Sequence, residues 1–146
     1  MFSSQQQLEQ QLKGDEGLVL KWYPDSRRIG TIGYGHKWLA GDPLVCTQEW
    51  AQDTLISDMD IAINAVYHNI PFSTTLSDPR FGVLANMAFN MGIDSLLEFD
   101  TFLPLMKQQA WASAAKDLAS TEWAGQVGAR AIRLRDQIVS DIWQYA

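Results

Sequence analysis

Apolar positions recur along this chain with two different periods, and the change of period outlines an architecture. Leu8 and Leu12 fall on one helical face, with Ser3 or Ser4 available to cap a first helix and Gly14 or Gly17 to end it. From Leu18 to Val45 the helical period disappears. Short β-rich pieces, LVLKWY and TIGYGHKW, are broken by Pro24-Asp25-Ser26, Gly30 and Gly41-Asp42-Pro43, which predicts a small turn-rich sheet. Thr47 is then a good N-cap with Glu49 in the first turn, and Ala51, Leu55, Met59, Ala62 and Val66 follow at helical spacing. One long helix is predicted to about His68, stopped by Pro71. Shorter helical patterns cover Phe81 to Met91, Thr101 to Gln109, Trp111 to Ser120 and Ala129 to Tyr145, with Leu134, Ile138 and Ile142 on the buried face of the last.

The expected fold class is therefore α+β, mostly helical and two-lobed. Residues 15–46 would form a small β lobe and 47–68 a connecting helix. Residues 69–146, joined by the first helix at 3–14, would form an all-helical lobe. The chain has no repeat, low-complexity run or long Pro/Gly/Ser linker, as expected of a single domain. A cleft between two such lobes suits a polymeric ligand.

Composition narrows the function. With 146 residues, 47% of them hydrophobic, and six Trp, the chain can bury a core without disulfides or metal. Cys46 stands alone and there are two His, too few for an ordinary zinc site, so Cys46 is expected to be buried and inert. The Trp residues could stack on sugars, but most are expected in the core. A net charge of −6 argues against nucleic acid, whose phosphates need a basic footprint. The N-terminus has neither a charged n-region nor an apolar run, which leads to the expectation of no signal peptide and no membrane anchor.

Candidate chemistry concentrates in DEGLVLKWYPD and the TIGYGH that follows. Glu16 is expected at the end of the first helix and Asp25 in a turn of the β lobe, on opposite walls of one cleft. Such a pair suits glycoside hydrolysis: one carboxyl delivers a proton to the leaving oxygen while the other, ionised, activates water. A helix C-terminus disfavours an ionised carboxylate, which suits Glu16 to the donor role. Two carboxylates nine positions apart are also common in any acidic chain, so spacing alone does not assign the reaction. Gly33 and Gly35 lack the third Gly of a dinucleotide loop and are better read as a hairpin.

The same segment resembles the active-site signature of the phage-type lysozymes, the glycoside hydrolase family that includes the T-even phage enzyme. It has Glu, eight residues, Asp, five residues and Thr, with a Gly-x-Gly-His turn after it. The resemblance continues through ANMAFNMG at 85–92, Phe99 with LMKQQAWASAAKDLAS, and TEWAGQVGARAIRLRD. It implies Glu16 as catalytic acid, Asp25 as second carboxylate and Thr31 as the residue placing the attacking water. Lys37, Asn86, Phe89, Asn90 and Asp117 would line the substrate cleft. Asp15, His36, Asp58, Arg130 and Arg133 would support it, through a His36–Asp58 pair, Arg133 near Asp15 and Arg130 near Glu16. The implied reaction is inverting hydrolysis of the β-1,4 bond between N-acetylmuramic acid and N-acetylglucosamine in peptidoglycan, without cofactor or metal.

The implied setting is that of an endolysin: a monomer held in the host cytoplasm until a separate membrane pore, a holin, releases it to the periplasmic wall. A tail-associated lysozyme, or an inactive wall-binding module of the same fold, are the alternatives. Phe102 stands where the T-even phage enzyme has a small hydroxyl residue, and the stretch from His36 to Thr47 is shorter, so the rim of the β lobe is expected to be reduced.

Overall fold

The computed structural model describes residues 1–146 and has an α+β architecture, mostly helical with one small sheet. Helix α1 (Gln5–Glu16) leads into an antiparallel sheet of β1 (Val19–Pro24), β2 (Gly30–Gly33) and β3 (His36–Lys37), ordered β1-β2-β3. The long α2 (Gln48–Asn69) carries the chain away from the sheet. A 3-10 turn (Pro71–Thr75) follows, then α3 (Asp78–Met91), α4 (Ile93–Leu97), α5 (Phe102–Lys107), α6 (Trp111–Ala119), α7 (Glu122–Val127) and α8 (Ala129–Ser140). Tyr23 faces Thr31 across β1 and β2, with a register shift between Val19 and Tyr23, and Thr31 in turn faces Lys37.

Helix α2 starts where its capping chemistry directs it: Thr47 is extended and its hydroxyl accepts from the Trp50 N–H. All five apolar positions of its predicted stripe are buried. Helix α3 is buried along most of its length, with Phe81 through Ala88 all inside, and so forms the axis around which the other helices pack. Leu8 and Leu12 attach α1 to the same core, each fully buried, and such burial stabilises by about 1.5–3 kcal/mol per side chain.

Three local expectations are corrected. Ser4 occupies the N-cap position of α1 but makes no capping bond; its hydroxyl, with that of Ser3, donates to Asp78, tying the N-terminus to the start of α3. The last helix stops at Ser140 rather than Tyr145. Asp141 takes a left-handed conformation there, and Trp143 folds back onto Gly82 of α3, where a Cβ would overlap the indole. Ile142, expected on the buried face, is consequently 63% exposed. Helices α4 and α7 carry no long apolar period and had no counterpart in the pattern. Cys46 is buried in the core cluster, and burial pushes its thiol pKa up. Trp123 is buried, and Trp38, Trp50, Trp111 and Trp143 pack against the core; Trp22 is the exception, 42% exposed.

Candidate active site

Glu16 is the last residue of α1, and Gly17 turns the chain out of the helix with a positive φ of 68° that favours glycine. The Glu16 carboxyl rests against the backbone of Gly35, in the turn between β2 and β3, where φ is 66°. A Cβ on Gly35 would overlap that carboxyl, and even the Glu16 Cγ lies only 2.9 Å away. We therefore expect Gly35→Ala to push Glu16 out of place and cost roughly 10²-fold in rate, the scale of a misplacement of about 1 Å. The left-handed backbone adds a cost of about 1–2 kcal/mol. A Gly35→Ala enzyme that folds and keeps its rate would show that the contact does not position Glu16.

Asp25 opens the β1–β2 turn. Its Oδ1 accepts the backbone N–H groups of Arg27 and Ile29, both at 2.8 Å, which closes the turn around the carboxylate. These bonds leave Oδ2 to accept from another donor. Thr31, 4% exposed, donates its hydroxyl proton to the Ile29 carbonyl at 2.8 Å, so its oxygen retains lone pairs to accept with. Tyr23, which faces Thr31, lies in the field of both carboxylates. Its phenol pKa is raised by burial and further by the charges of Glu16 and Asp25, so one side chain feels both. Tyr23 was not singled out from sequence; its cross-strand position opposite Thr31 was the available signal.

Two hollows open beside residues that contact these carboxylates. One, of about 500 Å³, is lined by Arg27, Phe99, Asp117, Trp123 and Gln126 among others. The second, of about 270 Å³, is lined by Gly35, Lys37, Asp58, Ile61 and Phe89 among others. Arg27 donates its N–H to Asp25 and Gly35 touches Glu16, so each hollow borders a direct neighbour of one carboxylate. Lys37 and Phe89 line the second hollow and Asp117 the first. Asn90 lies at the C-terminal end of α3, half-buried, and its side-chain oxygen is held by the Trp123 indole N–H at 2.8 Å. Phe102 is wholly buried and offers the cleft no surface.

Asn86 is corrected: it is 0% exposed and does not line the cleft. It joins Asp15 to Arg130, the residue that holds Glu16. Its amide donates to Asp15 at 2.9 Å and to Gln11 at 3.0 Å, and its oxygen accepts from Arg130 Nε at 2.8 Å. Arg130 Nη1 reaches Glu16 at 2.6 Å, and Arg133 reaches Asp15, whose side chain is 1% exposed, at 2.7 Å. Gln11 extends the network by donating to Gln137 at 2.6 Å and to the Gln144 carbonyl at 2.7 Å. Gln11 and Gln137, both buried, gave no warning in sequence because isolated glutamines are ordinarily surface residues.

The family model described as phage lysozyme matches residues 13–136 of the chain. The chain belongs to the phage lysozyme family. Among similar proteins, Probable T4-type lysozyme 2 of Dictyostelium discoideum is 30% identical, the alignment covering 87% of this chain and 90% of that one. Probable T4-type lysozyme 1 of the same organism is 26% identical over the same shares. The Pre-baseplate central spike protein Gp5 of Enterobacteria phage T4 is 28% identical over 87% of this chain, but the match takes only 26% of that longer protein.

This family member braces its sheet against α2 through His36. The ring bonds Asp58 at 2.6 Å through Nδ1 and Asp42 at 2.9 Å through Nε2. The Asp58 partner was expected; Asp42 was not, because the Gly41-Asp42-Pro43 turn alone brings it back over the ring. A neutral imidazole has one N–H and can donate to only one carboxylate, so the bridge is complete only when His36 is protonated. Burial opposes the charged ring, but the hydrogen bonds and charges of Asp58 and Asp42 outweigh it and raise the His36 pKa above 6.5. For Asp42, slight burial acts upward, but the Leu39 N–H and His36 hold it below 3.8; deeper burial pushes Asp58 up despite His36.

The sign of the linkage follows. His36 contributes fully below its unfolded pKa of about 6.5 and the contribution is lost as pH rises through the higher folded value. Asp42 contributes above about 3.8 and loses its share as pH falls through the lower folded value. We expect the difference in melting temperature between wild type and His36→Asn to shrink as pH is raised above 6.5. An NMR titration placing His36 at or below the free value would remove the bridge from the account.

Proposed function

We propose that the protein is a muramidase that hydrolyses the β-1,4 bond between N-acetylmuramic acid and N-acetylglucosamine. The observation that carries this is that one hollow borders Arg27, which bonds Asp25, and the other borders Gly35, which touches Glu16; that arrangement suits a polymer lying across both with one linkage over the carboxylates. Glu16 donates a proton to the glycosidic oxygen. Asp25 Oδ2 takes one proton of a water while Thr31 Oγ1 accepts a hydrogen bond from the other, aiming the oxygen at the anomeric carbon from the opposite face. The sugar hydroxyl of the new reducing end keeps the water's oxygen, and the second saccharide leaves with the proton from Glu16. The reaction is inverting and needs no cofactor, and Lys37, Phe89 and Asp117 contact the strand beyond the reacting pair.

The decisive experiment follows freshly cleaved glycan by NMR. The first-formed muramic acid end should be the α-anomer, and a β-anomer appearing first would overturn the inverting assignment. Clearing of permeabilised Gram-negative cells by wild type, with severe loss in Asp25→Asn, tests the activity itself. We assign the protein to an endolysin setting, a monomer acting on the wall after release through a holin; no helix is long and apolar enough to cross a membrane. The similarity to the central spike protein favours a second reading, a tail-associated lysozyme, which immunodetection in purified virions would distinguish.

A further inference from the structure

Charge is unevenly divided along the chain. Residues 18–46 carry Lys21, Arg27, Arg28 and Lys37 against Asp25 and Asp42, a net charge of +2 in a chain of net charge −6, which leaves −8 elsewhere. Both acids are engaged internally, Asp25 by its turn and Asp42 by His36, whereas all four cations are exposed. The sheet that bears them has an apolar outer edge. Lys21 bridges to Val45, with the Trp22 N–H bonded to the Leu44 carbonyl and the Cys46 N–H to the Leu20 carbonyl. This pairing sets Trp22 beside Leu44 and Lys21 beside Val45. Leu20 is 43%, Trp22 42%, Leu44 63% and Val45 73% exposed.

We propose that this edge, Leu20, Trp22, Leu44 and Val45 with Lys21, together with Arg28 exposed in the β1–β2 turn, docks the protein on an anionic phospholipid surface. A half-exposed indole among exposed aliphatic side chains and long cationic stems is the chemistry of the bilayer interface, where Trp settles at the headgroups and Lys and Arg reach the phosphates. Charge complementarity selects the anionic lipid. The −8 of the remaining chain does not prevent approach, because fields are screened beyond about 8 Å at physiological salt. Leu20, Trp22 and Leu44 alternate with Lys21 and Val45 across the two faces of this edge, so an edge-on approach brings both sets to the headgroups. The inference does not depend on the muramidase reading.

The test is cosedimentation of the whole chain with vesicles of equal parts phosphatidylglycerol and phosphatidylethanolamine, compared with pure phosphatidylcholine. Wild type is expected to sediment with the anionic vesicles only, with a blue shift in tryptophan emission. Lys21→Glu/Arg28→Glu should weaken binding at least about tenfold, given roughly 1 kcal/mol per basic residue near such a surface. Leu44→Ser/Val45→Ser, at positions exposed enough to leave the fold unchanged, should lose the blue shift while hydrolysing purified peptidoglycan at the wild-type rate. Absence of wild-type binding to anionic vesicles overturns the proposal. So does equal binding by Leu44→Ser/Val45→Ser, or a solution dimer in sedimentation equilibrium that these substitutions abolish, which would assign the edge to a second copy of the chain.

Discussion

Glu16→Gln is expected to leave a folded protein whose lytic rate falls by about 10²- to 10⁴-fold, the usual contribution of a positioned general acid. The amide has the carboxyl's shape and fits the same space against Gly35. Its oxygen can still accept from Arg130 Nη1, which bonds Glu16 at 2.6 Å in the native protein. What is lost on the stability side is the difference between a charged and a neutral acceptor, about 1–2 kcal/mol. What is lost on the catalytic side is the transferable proton, for which an amide offers no substitute. The comparison needs clearing rates together with urea unfolding of both proteins. A folded Glu16→Gln variant that clears cells at near the wild-type rate would falsify the assignment.

Arg130→Met is expected to cost about 3–5 kcal/mol, the range for removing one partner of a buried ion pair. Three groups depend on this guanidinium. Its Nε donates to Asn86, lies 3.4 Å from Asp15, and its Nη1 donates to Glu16. The Arg130 side chain is 8% exposed and that of Asp15 1%, so water cannot replace what is removed. Arg133 still holds Asp15, which places the loss toward the lower end of the range. Native domains are stable by only about 5–15 kcal/mol, so the urea midpoint should move far and the unfolding slope little. Arg130→Lys should recover part of the stability, since an ammonium supplies charge without the planar fork that serves Asn86 and Glu16 together. A loss below about 1 kcal/mol would place Arg130 among ordinary surface pairs.

Much of this molecule was determined locally and is therefore legible in the chain. The five-residue apolar stripe of α2 and its Thr47 cap are near-neighbour properties, and the structure places both as the period requires. The turn chemistry around Asp25 is likewise local, because Asx bonds span only two to four residues. The Glu, Asp and Thr spacing carried meaning beyond its neighbours only through its resemblance to a family signature.

The rest depended on partners far apart in sequence. Asn86 looked like a cleft residue by register, yet it is buried against Arg130, 44 positions away, and Asp15, 71 positions away. Gln11 and Gln137 meet across 126 positions, and nothing near either residue signals a buried partner. The end of α8 was misjudged for the same reason. Helical periodicity continues to Ile142, but the hydrogen-bonded helix yields to a left-handed turn at Asp141 because Trp143 finds a site on α3 that only a glycine, Gly82, leaves open. Periodicity and capping are short-range interactions that any window of sequence contains. Satisfying a buried polar group or seating an indole requires a partner from another element, and only the folded chain selects which one.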